Sequence, residues 1–258
     1  MDNEKLTFND YVRLSLDSGV APIELRFYPF EDCESGFPVA YRTSLIINSV
    51  IAGTLTEKDF SPYCDNHPCG VQLFRHHLQH AITAILSFAK AEKQIEFISV
   101  ACPADIVNAE PLFDLMSDVL KKNPRLEPQK LCLEFSPAFL ADTEKARAVV
   151  MDMKVLKVRT MLTGCGTEDF PLSKLLRVPA DMAMLHPSVT EWAGSRDKPK
   201  LVPSLINYVN SMGAEVVAEG EEEKRPSLRN TECIGFLPVG AQPLIWREVV
   251  EQKAEEDL

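Results

Sequence analysis

A glutamate directly follows a short apolar strand pattern near the end of the chain. In the stretch GAEVVAEGEEE (residues 213–223), Val216 and Val217 form a β-branched run that is typical of a buried strand, and Glu219 and Gly220 come just after it. In a barrel of parallel strands, catalytic acids lie at the carboxyl ends of the strands. Glu219 is therefore a candidate active-site acid. A surface acid where the strand becomes a loop is the alternative interpretation.

Other residues are also of types that could take part in catalysis or bind a ligand. His186 follows an apolar strand pattern and is a candidate ligand or acid, with packing or helix capping as the alternative. Zinc-type ligands occur at Cys64, His67, Cys69, His76, His77 and His80. Their spacing suits no common zinc finger and the last three fall on one predicted helix, so no structural zinc is expected. The loop TGCGTED (residues 163–169) is interpreted as a turn, with an anion-binding nest as the alternative.

The composition is typical of an ordinary globular protein. The chain has 258 residues, of which 45% are hydrophobic and 25% charged, so one large α/β domain or two small ones are allowed. A formal charge of -11 argues against non-specific binding to nucleic acid or anionic membranes. The N-terminus does not resemble a signal peptide, and the seven cysteines fit reduced packing residues. A cytoplasmic protein that does not enter the membrane is expected.

Strand and helix patterns alternate along the whole chain. Strands are predicted at residues 23–30, 39–41, 95–101, 131–136, 158–162, 181–185, 216–218 and 233–237. Helices are predicted at residues 43–52, 71–93, 112–122, 138–153 and 201–212, with a charged helix from residue 243. This order predicts a single (β/α)8 TIM-type barrel over residues 22–250. Residues 1–21 are predicted to form a lead-in helix, and residues 251–258 an acidic tail.

Four short segments, in order, resemble the EAL family of cyclic di-GMP phosphodiesterases over roughly residues 22–250. They are LRFYP in the first strand, LCLEFS at residues 131–136, RVPAD at residues 177–181 and VVAEGEE at residues 216–222. Each segment is short, but their order and spacing are similar to those of the family. The resemblance implies an EAL-like barrel and a family chemistry that hydrolyses cyclic di-GMP with two divalent cations, Mg²⁺ or Mn²⁺.

The resemblance also implies which positions would carry that chemistry, and most of them are changed. The Glu-Ala-Leu signature aligns with residues 42–44, so Arg42 replaces a metal-binding glutamate. Glu134 and Glu219 match acids that the family uses. The other catalytic and ligand positions fall on Tyr28, Ala101, Pro137, Met161, Leu162, Met184, His186 and Ile234. The family-matched pocket is thus reduced to Glu134, Glu219, Arg42 and His186.

These substitutions predict a catalytically degenerate domain. Two carboxylates cannot supply the roughly six ligands that each Mg²⁺ or Mn²⁺ ion requires. A guanidinium is always protonated, so Arg42 would repel cations and pair with Glu134 or Glu219 if it points into the barrel. Projection of Arg42 into solvent is the alternative. We therefore expect no catalytic residues, no metal cofactor and a binding or regulatory role in cyclic di-GMP signalling.

The resemblance to the EAL family also bears on the expected binding partners. Most polar groups that would meet guanine and phosphate are replaced, so a protein partner is favoured over cyclic di-GMP, and the resemblance also allows a homodimer. The alternative function is an active cyclic di-GMP phosphodiesterase with an altered metal site made of Glu134, Glu219, His186 and either Glu168 or Asp169. That site would use Mg²⁺ or Mn²⁺. A barrel that acts on a different substrate is the third interpretation.

Overall fold

The structure is a computed structural model, and it describes residues 7, 10, 23–49, 53–64, 68–103 and 111–251. The strands are β1 (Ile23–Glu31), β2 (Pro38–Ser49), β3 (Gly53–Leu55), β4 (Ile98–Cys102), β5 (Leu131–Phe135), β6 (Arg159–Cys165), β7 (Met182–Leu185), β8 (Glu215–Gly220) and β9 (Cys233–Pro238). The α-helices are α1 (Glu57–Cys64), α2 (Pro68–Lys90), α3 (Leu112–Lys122), α4 (Thr143–Leu156), α5 (Pro187–Thr190), α6 (Leu201–Ser211) and α7 (Trp246–Glu251). The predicted lead-in helix and acidic tail lie outside the described residues, apart from Thr7, Asp10 and Glu251.

Eight strands close into a barrel, which confirms the predicted TIM-type fold. Strands β2 and β4 to β9 run parallel to one another, and β1 closes the ring between β9 and β2. Strand β3 pairs with the last residues of β2, outside the ring. No helix in the described part of the chain has the length and apolar character needed to cross a membrane.

Strand β1 runs antiparallel to both of its neighbours, so the barrel departs from a strict repeat of strand and helix. The connection from β1 to β2 comprises only residues 32–37, in which Gly36 has a φ of +79°. Parallel neighbours need a crossover of a dozen or more residues, whereas a turn of this length joins only antiparallel strands. Residues 32–37 therefore connect β1 and β2 as a hairpin.

The helix predicted at residues 43–52 is wrong, because Thr43 to Ser49 continues strand β2. The pairs Leu25↔Leu45 and Ile23↔Ile47 hold this segment against β1. A short apolar run does not distinguish a buried strand from a helix, and here the pairing partner decides. Conversely, helix α1 (Glu57–Cys64) is present in the structure but was not predicted from the sequence.

The apolar side chains form two main layers, one inside the barrel and one between the strands and the helices. In β7, for example, Met182 and Met184 belong to the inner cluster, whereas Ala183 and Leu185 belong to the outer one. This alternation is the normal consequence of the two-residue period of a strand. Because the interior is filled by apolar side chains, a functional site must lie above them, at an end of the barrel.

Candidate functional site

A cleft of ≈ 590 Å³ opens at the carboxyl end of the parallel strands. Strands β2, β8 and β9 line it together with Tyr28 of β1 and the first turn of α1. Its lining residues are Tyr28, Arg42, Thr43, Ser44, Ile46, Thr56, Glu57, Lys58, Glu219, Leu237, Pro238, Gly240, Ala241 and Pro243. The cleft therefore contains two of the four predicted pocket residues, Arg42 and Glu219.

An ion pair between Arg42 and Glu134 is the central feature of this mouth. Nη2 of Arg42 lies 2.9 Å from Oε2 of Glu134, and the Glu134 side chain is only 2% exposed while that of Arg42 is 32% exposed. Arg42 thus points into the barrel and does not project into solvent. The pKa of Arg42 is raised, first by the charge of Glu134 and further by Glu219 and Glu57, so the guanidinium is firmly cationic.

Ser99 completes the support of Glu134. Ser99 is the register partner of Arg42 on the neighbouring strand, and its hydroxyl donates a 2.5 Å hydrogen bond to Oε1 of Glu134. Oε2 has the ionic contact with Arg42 but no well-aligned hydrogen bond from the described residues. A buried carboxylate is costly unless it is paired, and the contacts with Arg42 and Ser99 supply that pairing for Glu134.

A second set of contacts supports the Arg42 side of the mouth from the outer face of the strands, where helix α2 packs. The Thr43 hydroxyl donates to the Ser99 carbonyl oxygen at 2.7 Å and lies 2.9 Å from Nε2 of His77 on α2. Since the single hydroxyl proton is already used, Nε2 of His77 must carry a hydrogen and donate to Thr43. Burial lowers the pKa of His77 to about 3, so the imidazole is neutral. His77 therefore has a structural role, because it links α2 to strands β2 and β4.

Glu219 lies across the mouth on β8 and has a looser environment. Burial raises the pKa of its carboxyl group, the charge of Glu134 raises it further, and Arg42 opposes both effects. The Glu219 side chain is half-buried, and its backbone carbonyl oxygen accepts a 2.5 Å hydrogen bond from the Thr190 hydroxyl. The strand end is thus fixed by its backbone, while the carboxyl group is open to the cleft.

Glu57 is a third acid at the mouth that the sequence analysis missed. Burial raises the pKa of Glu57, Glu134 adds to the effect and Arg42 opposes it. Helix α1 presents this side chain because Thr56 begins the helix, and its backbone N–H and hydroxyl donate to Asp59 at 2.7 and 2.8 Å. The sequence Thr-x-x-Asp at residues 56–59 is close to a capping box, and that signal predicts a helix start here.

His186 occupies a structural position. It is the N-cap of the short helix α5, and its Nδ1 accepts a 3.2 Å hydrogen bond from the backbone N–H of Ser188. His186 does not line the cleft, although its charge lowers the pKa of the nearby Glu219 slightly. The capping interpretation accounts for this residue without a role as ligand or acid.

The loop at residues 163–169 does not bring an acid to the mouth. Glu168 and Asp169 are exposed and lie outside the cleft lining, so the altered metal site that would recruit one of them is not assembled. The backbone N–H groups of Gly166 and Thr167 donate within the loop, to Phe170 and Gly164 respectively. Residues 163–165 thus end strand β6, and the predicted turn is confined to the residues that follow.

The described residues do not fit a pair of catalytic metal ions. No cluster of three or more His, Cys, Asp or Glu side chains within the described ranges could hold a metal ion. The family-matched positions Met161, Met184 and Leu162 are buried and apolar, the first two inside the barrel and Leu162 in the outer layer. Two divalent ions would thus meet one cation, carboxylates that form no metal-binding cluster and, beneath them, apolar side chains. Of the predicted cysteine and histidine group, the side chains of Cys64, His67 and Cys69 lie outside the described residues.

The fold and mouth define a TIM-type barrel with its charged site at the carboxyl ends of the strands. The family model of the EAL domain matches residues 19–228, and so the chain belongs to the EAL domain family. The predicted resemblance is thereby confirmed. No curated protein matches the sequence.

Solved structures of low sequence identity share this fold. The PaMucR phosphodiesterase in complex with c-di-GMP is 19% identical, covers 95% of this chain and 100% of its own, and has a TM-score of 0.80. An EAL domain protein from Listeria monocytogenes is 19% identical over 99% of both chains, with a TM-score of 0.77. The FimX EAL domain from Pseudomonas aeruginosa bound to c-di-GMP is 13% identical over 90% of this chain and 94% of its own, with a TM-score of 0.75.

Proposed function

We propose that this EAL domain is catalytically degenerate and serves as a binding or regulatory module in cyclic di-GMP signalling. The observation that carries this proposal is the buried ion pair between Arg42 and Glu134. It places a permanent cation against an acid that matches a metal ligand of the family. The chain keeps the barrel of the family but not the charge distribution that two divalent ions require.

The magnitude of the repulsion supports this conclusion. At about 4 Å and an effective dielectric constant of about 20, a divalent ion and a guanidinium repel each other by roughly 8 kcal/mol. That repulsion is as large as the attraction between the ion and one carboxylate at the same distance. Arg42 therefore offsets the benefit of Glu134, and Glu219 and Glu57 would have to hold the metal. The described lining of the cleft offers no further carboxylate.

Binding is the role that a degenerate barrel retains, and we favour a protein partner. The solved PaMucR and FimX domains hold c-di-GMP, but several polar positions of the family are apolar here. Leu201 and Tyr208 are two turns apart on α6, so they lie on one face of the helix. Their side chains are 37% and 44% exposed, which is consistent with a contact surface for protein.

A hydrolysis assay tests the loss of catalysis. Purified protein is incubated with cyclic di-GMP and Mn²⁺ or Mg²⁺, and the linear and mononucleotide products are quantified against an active phosphodiesterase. We expect no turnover above background in either metal. Clear hydrolysis that disappears in Glu219→Ala would overturn the proposal.

Calorimetry separates nucleotide binding from turnover. Titration of cyclic di-GMP with and without Mn²⁺ is expected to show the same weak or absent heat in both conditions, because no metal contributes to the site. Binding that is at least tenfold tighter with Mn²⁺ would contradict the metal-independent role. Glu219→Gln is the matched variant, since it keeps the size of the side chain and removes its charge.

The alternative function is an active phosphodiesterase with an altered metal site. The specific observation in its favour is that the charge of Glu134 raises the pKa of both Glu57 and Glu219 at the mouth. Under this alternative, Glu57→Gln and Glu219→Gln would each abolish metal-dependent turnover. Under our proposal, neither substitution changes a rate that is already at background.

A further inference from the structure

Two cysteines meet at the end of the barrel opposite the cleft. Cys33 lies in the turn between β1 and β2, and Cys233 is the first residue of β9. The antiparallel pair Glu31↔Phe236 places this turn against the start of β9. The Glu34 carboxylate holds the same turn against the loop before β9 by accepting a 2.6 Å hydrogen bond from the backbone N–H of Asn230.

The Cys33 and Cys233 side chains interact with each other, and both residues belong to one apolar cluster. The Cys233 thiol also donates to the Gly235 carbonyl oxygen at 3.3 Å. Both cysteines are buried, at 3% and 7% exposure, but the next two residues of the turn, Glu34 and Ser35, are exposed. Cys33 is therefore buried within a turn whose next residues are at the protein surface.

Cys33 differs chemically from the other free cysteines in the described part of the chain. Burial raises the pKa of the thiols of Cys102, Cys132 and Cys165. The pKa of Cys33 is instead lowered, first by the hydrogen bond with Cys233, while burial and the charge of Asp32 oppose this effect. Because the thiolate is the reactive form, Cys33 is the better nucleophile among them.

We propose that Cys33 and Cys233 form an oxidisable pair that becomes a disulfide when the protein meets a peroxide. The Cys33 thiolate attacks one oxygen of hydrogen peroxide, the O–O bond breaks, and a sulfenic acid and hydroxide form; the hydroxide takes up a proton to give water. The Cys233 thiol then attacks the Cys33 sulfur, which forms the S–S bond and releases a second water. In total, two thiols lose two electrons and two protons, and one peroxide is reduced to two waters.

The cross-link would strengthen the contact between β1 and β9, which pair through few residues. Strands β1 and β9 share the single register pair Glu31↔Phe236, whereas β1 and β2 pair along their whole length. A covalent bond here ties the hairpin to β9 and closes a loop that contains most of the chain. Such a loop restricts the unfolded state strongly, so oxidation stabilises the fold. The inference is independent of the proposed function because the cleft lies at the other end.

Peptide mapping tests the proposal. In a Cys64→Ser, Cys69→Ser background, the five remaining thiols all have described surroundings. The protein is treated with a small excess of hydrogen peroxide, alkylated and digested without reductant. We expect a linked peptide that joins Cys33 to Cys233, loss of two hydrogen atoms from the intact mass, and reversal by dithiothreitol. Free thiols throughout, a sulfinic acid at Cys33, or a different linkage would each overturn the proposal.

A stability measurement adds a second readout. Oxidation is expected to raise the unfolding temperature by about 5–10 °C. Cys33→Ser and Cys233→Ser should abolish that shift, and Cys132→Ser, the matched buried control, should keep it. If a Ser variant folds poorly, the corresponding Ala variant replaces it. An unchanged unfolding temperature in protein shown to carry the linkage would refute the stabilising role.

Discussion

The two sides of the barrel mouth carry the same type of acid in different environments. On the β2, β4 and β5 side, Glu134 is almost fully buried and contacts Arg42 and Ser99. On the β8 side, Glu219 is half-buried and its carboxyl group accepts no hydrogen bond from the described residues, while its backbone carbonyl oxygen accepts one from Thr190. One acid has thus become part of the structure, and the other is still available to a ligand.

This difference is what the proposed loss of catalysis requires of a barrel that keeps its fold. Arg42 supplies a counter-charge for Glu134 within the protein. Apolar residues fill the barrel beneath the two side chains, so the fold does not depend on a bound ion.

The largest effect is expected from removal of Arg42. Arg42→Met leaves Glu134 buried without its counter-charge, which should lower the free energy of unfolding by about 3 kcal/mol. Chemical denaturation at pH 7 measures this loss. The double variant Arg42→Met, Glu134→Leu should recover most of it because no charge remains buried. A loss below about 1 kcal/mol in the single variant would mean that the pair is not structural.

Ser99 and Thr190 provide a matched test of the two sides. Ser99→Ala removes a donor to a buried carboxylate and should cost about 2 kcal/mol, since hydrogen bonds to charged groups are the stronger ones. Thr190→Val removes a donor to a backbone carbonyl and should cost about 1 kcal/mol. Denaturation of both variants under one set of conditions gives the comparison. Equal costs would contradict the stronger support that Ser99 gives to Glu134.

His77 should make the β2, β4 and β5 side of the mouth sensitive to acid. Its pKa in the folded state is about 3, below the ordinary 6.5, so the unfolded chain binds the proton more readily and stability falls as the pH drops below 6.5. At pH 5 this group alone should lower the free energy of unfolding by about 2 kcal/mol. His77→Leu should lose that part of the pH dependence. The exposed control His76→Leu should retain it.

The smallest effect is expected at Glu219. Its pKa is raised in the folded state, so at neutral pH the unfolded chain releases the proton more readily and the group is destabilising. Glu219→Gln should therefore stabilise the protein at pH 7 by less than about 1 kcal/mol, since the side chain is partly solvated. The gain should vanish as the pH falls toward the ordinary carboxyl pKa of about 4.3. Destabilisation at pH 7 would show that the Glu219 charge has a favourable partner.

Much of the fold could be predicted because the strand patterns are local. All eight barrel strands were located, since each is a short apolar run bounded by turn residues. The direction of β1 and the extent of β2 were missed because both depend on pairing between distant residues. The length of the connection at residues 32–37 was the available clue to the reversal of β1.

The site was predicted only where a family position or a strand end marks the residue. Arg42, Glu134 and Glu219 were identified in this way. Ser99 was missed although it lies two residues before Ala101 and so faces the same side of its strand. Glu57 and His77 act from helices, and their positions follow from packing that no local pattern contains.

The most direct test of the central claim is a crystal structure of the protein soaked in Mn²⁺, with anomalous data collected near the manganese edge. The account predicts no anomalous peak between Glu134 and Glu219, with the Arg42 guanidinium still in contact with Glu134. A manganese peak bridging the two carboxylates, with Arg42 displaced from Glu134, would contradict it.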